Sequence, residues 1–255
     1  MNLSNRSINL LKNDNITRYK WYVMKERESE FQTYFAIGKA FAEMVEHYHK
    51  IGEWNLEKFA KNMKEEYVTA GMEQEDIDNA MIILSDLYNN AQLVITERCD
   101  KSEYTSLLPI DDKYTLKCTY DALRDDIVED YKTVTSFTKE DESLEKYWQQ
   151  IKLYQYSEYK RTGNKLRGKI TEIKKWKATL PTKKEDLIAM IPEWVDTSGT
   201  VVELKQRLQL HITKEQISQE IYFEWEESII PYIEDLIRKA ILKANYLQEL
   251  KSIDD

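Results

Sequence analysis

The chain has 255 residues, of which 42% are hydrophobic and 33% charged, and its formal net charge is −9. This length supports one substantial core, and the composition excludes a disordered or fibrous protein. The acidic balance argues against a protein that coats nucleic acid with its whole surface, and Cys99 and Cys118 are too few for a disulfide framework or a four-cysteine zinc or iron–sulfur site.

No stretch of the sequence is apolar over the roughly 18 residues that a membrane span needs, and the N-terminus lacks the apolar core of a signal peptide. We therefore expect a cytoplasmic protein without a membrane partner. Because no internal repeat or low-complexity linker interrupts residues 1–255, we also expect a single domain.

The first part of the chain, residues 1–92, has mainly helical character. Apolar side chains recur at helical spacing from Phe35 to Tyr48, from about Leu56 to Tyr67 and from about Gln74 to Asn90. Ser4 is suited to cap a helix near the N-terminus. These patterns predict a layer of helices.

Residues 93–212 are predicted to form the sheet core. Strand-length runs rich in β-branched residues occur at Leu93–Glu97, Tyr114–Asp121, Ile127–Val134, Lys169–Lys175 and Val201–Ile212. The polar turn at residues 123–126 joins two of these runs and therefore predicts a hairpin. A helix is predicted from Asp141 to Tyr159, with turn-forming residues directly after it.

The last part, residues 213–255, is predicted to be a long C-terminal helix. Thr213 and Gln216 have the spacing of a capping box, and Pro231 is expected to restart or kink the helix before it ends near Leu250. The whole pattern predicts a mixed α/β fold, in which helices flank a small central mixed β-sheet and extend it at both ends.

A strongly basic segment follows the helix predicted at Asp141–Tyr159. Between Lys160 and Lys184 there are ten Lys or Arg residues and one acid, Glu172. Such a segment can hold a phosphate backbone locally even in an acidic protein, although a solvated protein face has the same composition. The residues that we expect at a nucleic-acid contact are Lys160, Arg161, Lys165, Arg167 and Lys169.

The residues that indicate chemistry lie on the predicted hairpin. Asp130 and Lys132 are two positions apart on one strand and therefore share a face, and Asp121 lies across the turn. Two carboxylates so placed can share a hard divalent ion, and the carbonyl oxygen of Tyr131 can add a further ligand. A lysine ammonium in the same cavity can orient water or offset negative charge that develops on a phosphate. The pattern favours metal-assisted hydrolysis of a phosphodiester.

Several pieces of the sequence, in the expected order over about residues 4–175, resemble the RecB-like and lambda-exonuclease-like branch of the PD-(D/E)XK nucleases. Ser4–Tyr22 resembles the helical entry of these proteins, and Gly38–Glu46 resembles their glycine-centred helix. Asp121 resembles the first acidic motif, Asp130–Thr133 the (D/E)XK motif, and Gln150–Tyr154 the Gln-x-x-x-Tyr helix motif. The resemblance implies a restriction-endonuclease-like core and catalytic roles for Asp121, Asp130, Lys132, Gln150 and Tyr154.

One position departs from the pattern of this family. Four residues after Gly38, where the family has His or Glu, this chain has Ala42. Glu43 is the neighbour in sequence, and Glu46 lies one helical turn further on the same face, so either can supply the acid of the helix. The metal ligands that the resemblance implies are Asp121, Asp130, the Tyr131 carbonyl and one of Glu43 and Glu46.

The resemblance implies a Mg²⁺-dependent deoxyribonuclease that also accepts Mn²⁺ in vitro, and an exonuclease rather than an endonuclease. Phage DNA processing, recombination and repair are the settings of such proteins. The alternatives are a structure-specific or sequence-specific endonuclease and an inactive nucleic-acid-binding protein with the same fold. The sequence contains no P-loop, so a helicase or annealing partner would be a separate chain. The family's ring-forming members make a homo-oligomer a further expectation, and the cysteine count leaves no iron–sulfur cluster.

Overall fold

The fold consists of one sheet and helices on both of its faces. The strands are β1 (Asn2–Leu3), β2 (Lys101–Pro109), β3 (Thr115–Leu123), β4 (Ile127–Val134), β5 (Arg167–Lys174) and β6 (Ser218–Phe223). The helices are α1 (Asn5–Lys12), α2 (Thr33–Ile51), α3 (Leu56–Thr69), α4 (Gln74–Val94), α5 (Glu140–Thr162), α6 (Lys184–Met190), α7 (Lys214–Ile217) and α8 (Ile229–Asp254). This computed structural model describes residues 1–15, 19, 33–175, 183–191, 196–204 and 214–254.

Within the described ranges of the chain, six strands form a mixed sheet. β2, β3 and β4 are antiparallel to one another in turn, β5 is parallel to β4, and β6 is antiparallel to β5. β1 runs parallel to β3 and pairs with its first residues. It lies on the same side of β3 as β4, which pairs with the last residues of β3. The parallel step from β4 to β5 requires a crossover, which contains α5. The predicted mixed α/β fold with a helix-flanked sheet is confirmed.

Two apolar cores cover the two faces of the sheet. On one face α1, α5 and α8 pack against the strands through side chains such as Ile151 and Ile237. On the other face α2, α3 and α4 pack through side chains such as Met44 and Leu84. Full burial of a side chain of this size stabilises the fold by about 1.5–3 kcal/mol, so these two layers stabilise the sheet from both sides. Within the described residues, no helix is both long and apolar enough to cross a membrane.

Two glycines position α5 against the sheet. A Cβ atom on Gly168 of β5 would lie 2.0 Å from the Cγ2 atom of Ile151, so only glycine allows this approach of helix and strand. Gly163 ends α5 with a φ of 79°, and its N–H donates to the carbonyl of Tyr159. This left-handed conformation is the usual glycine end of a helix. The predicted turn after the helix is therefore present.

One predicted strand is wrong, and the first four residues of another are helical. Leu93 and Val94 are the last residues of α4 rather than the start of a strand, because Val94 packs into the core formed by α2, α3 and α4. Residues 201–204 are helical, and Leu204 packs against Leu187 and Ile191. The rest of the strand predicted at Val201–Ile212 falls on residues outside the described ranges, as do residues 16–18 and 20–22 of the predicted helical entry.

The prediction of one long helix over residues 213–255 is also wrong. Ser218–Phe223 forms β6, because pairing with β5 satisfies its backbone groups and places Ile221 and Phe223 in the core. The C-terminal helix begins at Ile229, so Pro231 lies in its first turn, where a missing N–H costs no intrahelical bond. Thr213 of the predicted capping box is not among the described residues.

Candidate active site

β3 and β4 diverge just beyond their hairpin turn. Their ladder contains two pairs, and Ala122 with Glu129 is the pair further from the turn. At the next position the Oδ2 atom of Asp121 accepts a hydrogen bond of 2.7 Å from the backbone N–H of Tyr131. A side-chain carboxylate therefore takes the place of a ladder carbonyl, and a gap opens between the strands.

Asp130 lies at this gap and is held from two sides. Its side chain is buried, with 3% of the residue exposed. The Oδ1 atom accepts hydrogen bonds from Nε2 of Gln150 at 2.7 Å and from the hydroxyl of Tyr154 at 3.3 Å. The Oδ2 atom forms an ion pair with the ammonium of Lys132, but it accepts no hydrogen bond from any described residue. The structure thus brings together Asp121, Asp130, Lys132, Gln150 and Tyr154, as the sequence predicts.

A pocket of about 370 Å³ lies beside the gap, between the sheet and α2. The strands contribute Asp121, Lys132 and Glu103 to its lining, among other residues. The helix contributes residues from one face, and Lys175 follows β5. Asp130 reaches the pocket through its ion pair with Lys132. The remaining lining residues are Phe35, Gly38, Phe41, Ala42, Val45, Glu46, Tyr131 and Thr133.

Carboxylates dominate the electrostatics of this pocket. Burial raises the pKa of Asp121 well above its ordinary value, and the neighbouring Asp130 raises it further. Burial also raises the pKa of Glu103, and Glu46 and Asp130 add to that effect. Burial lowers the pKa of Lys132, but Asp130 and Asp121 oppose this so strongly that its pKa is above the ordinary value. Lys132 is therefore a charged ammonium at neutral pH.

Glu43 and Glu46, the two alternatives for the acid that α2 supplies, lie in different places. Glu46 lines the pocket and forms an ion pair with Lys50. Glu43 is not among the lining residues and lies 3.9 Å from the ammonium of Lys39. Ala42 does line the pocket, but with a methyl group that cannot bind a metal. The geometry thus brings Glu46, and not Glu43, to the pocket.

Tyr131 anchors the middle of β4 to α2. Its hydroxyl lies 3.2 Å from Nε2 of His49 and donates to Oε2 of Glu129 at 3.3 Å. Burial, assisted by the charge of Arg124, lowers the pKa of His49 to about 4, so this imidazole is neutral. Because Nδ1 of His49 accepts from the N–H of Cys99, Nε2 carries the proton and donates to Tyr131. This network fixes the strand that carries Asp130 and Lys132.

The predicted nucleic-acid contacts do not line the pocket. Each of the five side chains forms an ion pair with at least one carboxylate, in the pairs Lys160–Glu234, Arg161–Glu158, Lys165–Glu227, Arg167–Glu224, Lys169–Glu129 and Lys169–Glu220. The cations that do line the pocket are Lys132 and Lys175. A phosphate at the pocket would therefore meet these two lysines first.

Glu103 is a pocket residue that sequence reasoning missed. It lies on β2, in which Ser106 is the one buried residue, so the strand lacks the alternation of apolar and polar side chains that reveals strands in a sequence. Its position opposite Asp121 becomes visible only through the pairing of β2 with β3. No signal in the sequence indicates that pairing.

The donor set at the gap suits a hard divalent cation. Carboxylate oxygens are the ligands that Mg²⁺ prefers, and the Oδ2 atom of Asp130 is a buried carboxylate oxygen without a hydrogen bond. The residues that can hold such an ion are Asp121, Asp130 and Tyr131, the last through its carbonyl. In the described part of the chain, no group of three His, Cys, Asp or Glu side chains is arranged so that it could hold a metal ion.

No family model and no curated protein matches the sequence. Among solved structures, a candidate exonuclease from Eubacterium rectale matches 94% of this chain and 81% of its own length, with a TM-score of 0.50 and 12% identity. A phage-related exonuclease from Haemophilus somnus 129PT matches 84% of this chain and 83% of its own, with a TM-score of 0.36 and 13% identity. At such identity the first match establishes similarity of fold, and the second is too distant to support an argument. The chain thus shares its mixed α/β architecture with the Eubacterium rectale protein.

Proposed function

We propose that this protein is a metal-dependent deoxyribonuclease and that the pocket between β3, β4 and α2 is its active site. The observation that carries the proposal is the convergence of Asp121, Asp130 and Lys132 on one gap between two strands, beside a pocket. A pair of carboxylates with an adjacent ammonium is a donor set suited to a phosphodiester, because the cleaved group is anionic and its transition state accumulates negative charge.

Asp121, Asp130 and the carbonyl of Tyr131 would hold Mg²⁺, or Mn²⁺ in its place. When bound, such an ion polarises the scissile phosphate and lowers the pKa of a coordinated water. Gln150 and Tyr154 hold the Oδ1 atom of Asp130 and so keep its Oδ2 atom directed towards Lys132.

Lys132 acts as a cation in this mechanism. The neighbouring carboxylates keep its pKa high, so it cannot accept a proton at neutral pH. Its ammonium instead donates hydrogen bonds to a phosphate oxygen or to the attacking water. Lys175, which lines the same pocket, would contact a neighbouring phosphate of the DNA backbone.

Exonuclease action is the form of this activity that we propose. The Eubacterium rectale protein of the same fold is described as a candidate exonuclease, which supports this choice over an endonuclease. The expected setting is phage DNA processing, recombination or repair, with any helicase or annealing protein on a separate chain.

The test is digestion of linear duplex DNA, labelled at the 5′ or the 3′ end, beside a covalently closed circle of the same sequence. We expect Mg²⁺-dependent loss of the linear DNA alone, and the label that is released first gives the polarity. Nicking or linearisation of the circle would instead establish an endonuclease on the same site. Binding of DNA without cleavage in Mg²⁺ or Mn²⁺ would replace the nuclease with an inactive DNA-binding protein.

A further inference from the structure

Glu103 faces Asp121 across two paired strands. The pairs on either side are Ser102 with Ala122 and Tyr104 with Tyr120, so Glu103 and Asp121 occupy the register position between them. Directly opposite residues of an antiparallel pair share a face, with Cβ atoms about 4.5–5.5 Å apart. Both side chains line the pocket at the gap between β3 and β4.

The backbone at Glu103 has an unusual conformation for a strand. Its φ is 46°, in the left-handed region that disfavours side chains other than those of Gly, Asn and Asp. A glutamate in this conformation is strained, and such strain persists only where the surrounding structure imposes it.

Glu103 also differs from the other acids around the pocket in its partners. Glu46 forms an ion pair with Lys50, and Asp130 forms one with Lys132. Glu103 has neither a hydrogen bond nor an ion pair with any described residue. The pocket therefore contains one carboxylate, that of Glu103, that no described residue pairs or hydrogen-bonds.

We propose that Glu103 supplies a carboxylate ligand to the divalent cation that Asp121 and Asp130 hold, and so replaces the acid that α2 lacks at Ala42. This inference rests on the proposed function, because it adds a ligand to the same metal. The cation would draw Glu103 and the two strand acids together, and Glu46 would remain paired with Lys50.

Binding of Mn²⁺ to the full-length protein without DNA tests this assignment, with the free ion followed by electron paramagnetic resonance. We expect Glu103→Gln to weaken Mn²⁺ binding by tenfold or more and Asp121→Asn to abolish it. Glu46→Gln should have a smaller effect than Glu103→Gln. Glu53→Gln is the matched control, because Glu53 is an exposed residue outside the pocket lining.

Two further variants keep the test decisive. Glu103→Gly removes the carboxylate and fits the φ of 46°, so it serves if the glutamine variant does not fold. Adding Ala42→Glu to Glu103→Gln should recover at least part of the lost affinity, because residue 42 lines the same pocket. Wild-type affinity in both Glu103 variants, with Asp121→Asn defective, would overturn this assignment and leave the proposed nuclease intact. Absence of Mn²⁺ binding by the wild type would overturn the metal site as a whole.

Discussion

The two carboxylate oxygens of Asp130 have different surroundings, and this difference determines how the carboxylate is oriented in the site. α5 holds Oδ1 through Gln150 and Tyr154, which are also joined to each other by a hydrogen bond of 2.7 Å. Oδ2 faces Lys132 and has no hydrogen bond from the described residues. One helix therefore orients the acid, and the other oxygen is directed towards Lys132, which lines the pocket.

Removing the tyrosine hydroxyl tests this orientation. We expect Tyr154→Phe to lower kcat for linear duplex by about fivefold, because the hydrogen bond that it removes from Asp130 is worth ~1 kcal/mol, and to leave KM nearly unchanged. Tyr156→Phe is the control, since its hydroxyl contacts Glu234 at 3.4 Å on the other side of α5. Equal rates for Tyr154→Phe and wild type would show that the hydroxyl does not position Asp130.

The raised pKa of Asp121 gives a pH-dependent prediction. Burial and Asp130 raise this pKa, so the fold favours the protonated acid. Such a group supports folding while it is protonated and opposes folding as the pH rises through its folded-state pKa. At pH 8 in EDTA we therefore expect Asp121→Asn to raise Tm by about 2–4 °C, the shift that ~1 kcal/mol produces in a protein of this size.

Thermal unfolding at several pH values measures this effect. The advantage of Asp121→Asn should shrink as the pH falls towards about 4, where the wild-type acid is itself protonated. Asp125→Asn, at an exposed position of the hairpin turn, should not change Tm at either pH. A lower Tm for Asp121→Asn at pH 8 would contradict the account, because it would mean that the fold favours the charged acid.

At the scale of elements, the sequence predicts those strands that form runs rich in β-branched residues. The predicted strand Ile127–Val134 has the bounds of β4, and Tyr114–Asp121 differs from β3 by no more than two residues at either end. β2 escapes prediction because nearly all of its side chains are exposed or half-buried. β6 is not predicted from the sequence because its strand conformation depends on pairing with β5, which is distant in sequence.

The contact of α5 with β5 gives a prediction about stability. We expect Gly168→Ala to lower the free energy of unfolding by about 1–3 kcal/mol, because its Cβ atom would overlap Ile151 and push the helix from the sheet. Gly38→Ala is the comparison, since a Cβ atom there meets nothing within 4 Å, and it should stabilise α2 by about 0.5–1 kcal/mol. Urea unfolding measures both changes. Unchanged stability in Gly168→Ala would mean that α5 lies further from β5 than described.

At the scale of the whole molecule, only some residues of the site could be predicted from the sequence. Asp121, Asp130 and Lys132 could be predicted because their spacing on a hairpin is local, and Gln150 and Tyr154 because they form a helix motif. Glu103 could not, because its place beside Asp121 depends on the pairing of β2 with β3. The choice between Glu43 and Glu46 likewise depends on how α2 packs against the sheet.

The ion pairs of the basic segment, Lys160 to Lys184, could likewise not be predicted from the sequence. Its lysines and arginines lie close together in sequence, but the acids that pair with them come largely from β6 and the residues around the start of α8. We expect Lys175→Ala to weaken duplex binding and to reduce the slope of log Kd against log salt concentration by about one. Arg167→Ala should do so less, because Glu224 already neutralises Arg167. Fluorescence anisotropy in EDTA measures both, and a larger loss with Arg167→Ala would restore the basic segment as the main contact.

The most direct test of the central claim is Mg²⁺-dependent cleavage of labelled linear duplex by wild type and Lys132→Ala, with Lys117→Ala as an exposed control on β3. The account predicts cleavage by wild type and Lys117→Ala that EDTA abolishes, and a loss of about 100-fold or more in Lys132→Ala. The Tm of each variant is measured alongside, because Lys132 also pairs with the buried Asp130. Wild-type cleavage by a folded Lys132→Ala protein would contradict the account and move the active site away from this pocket.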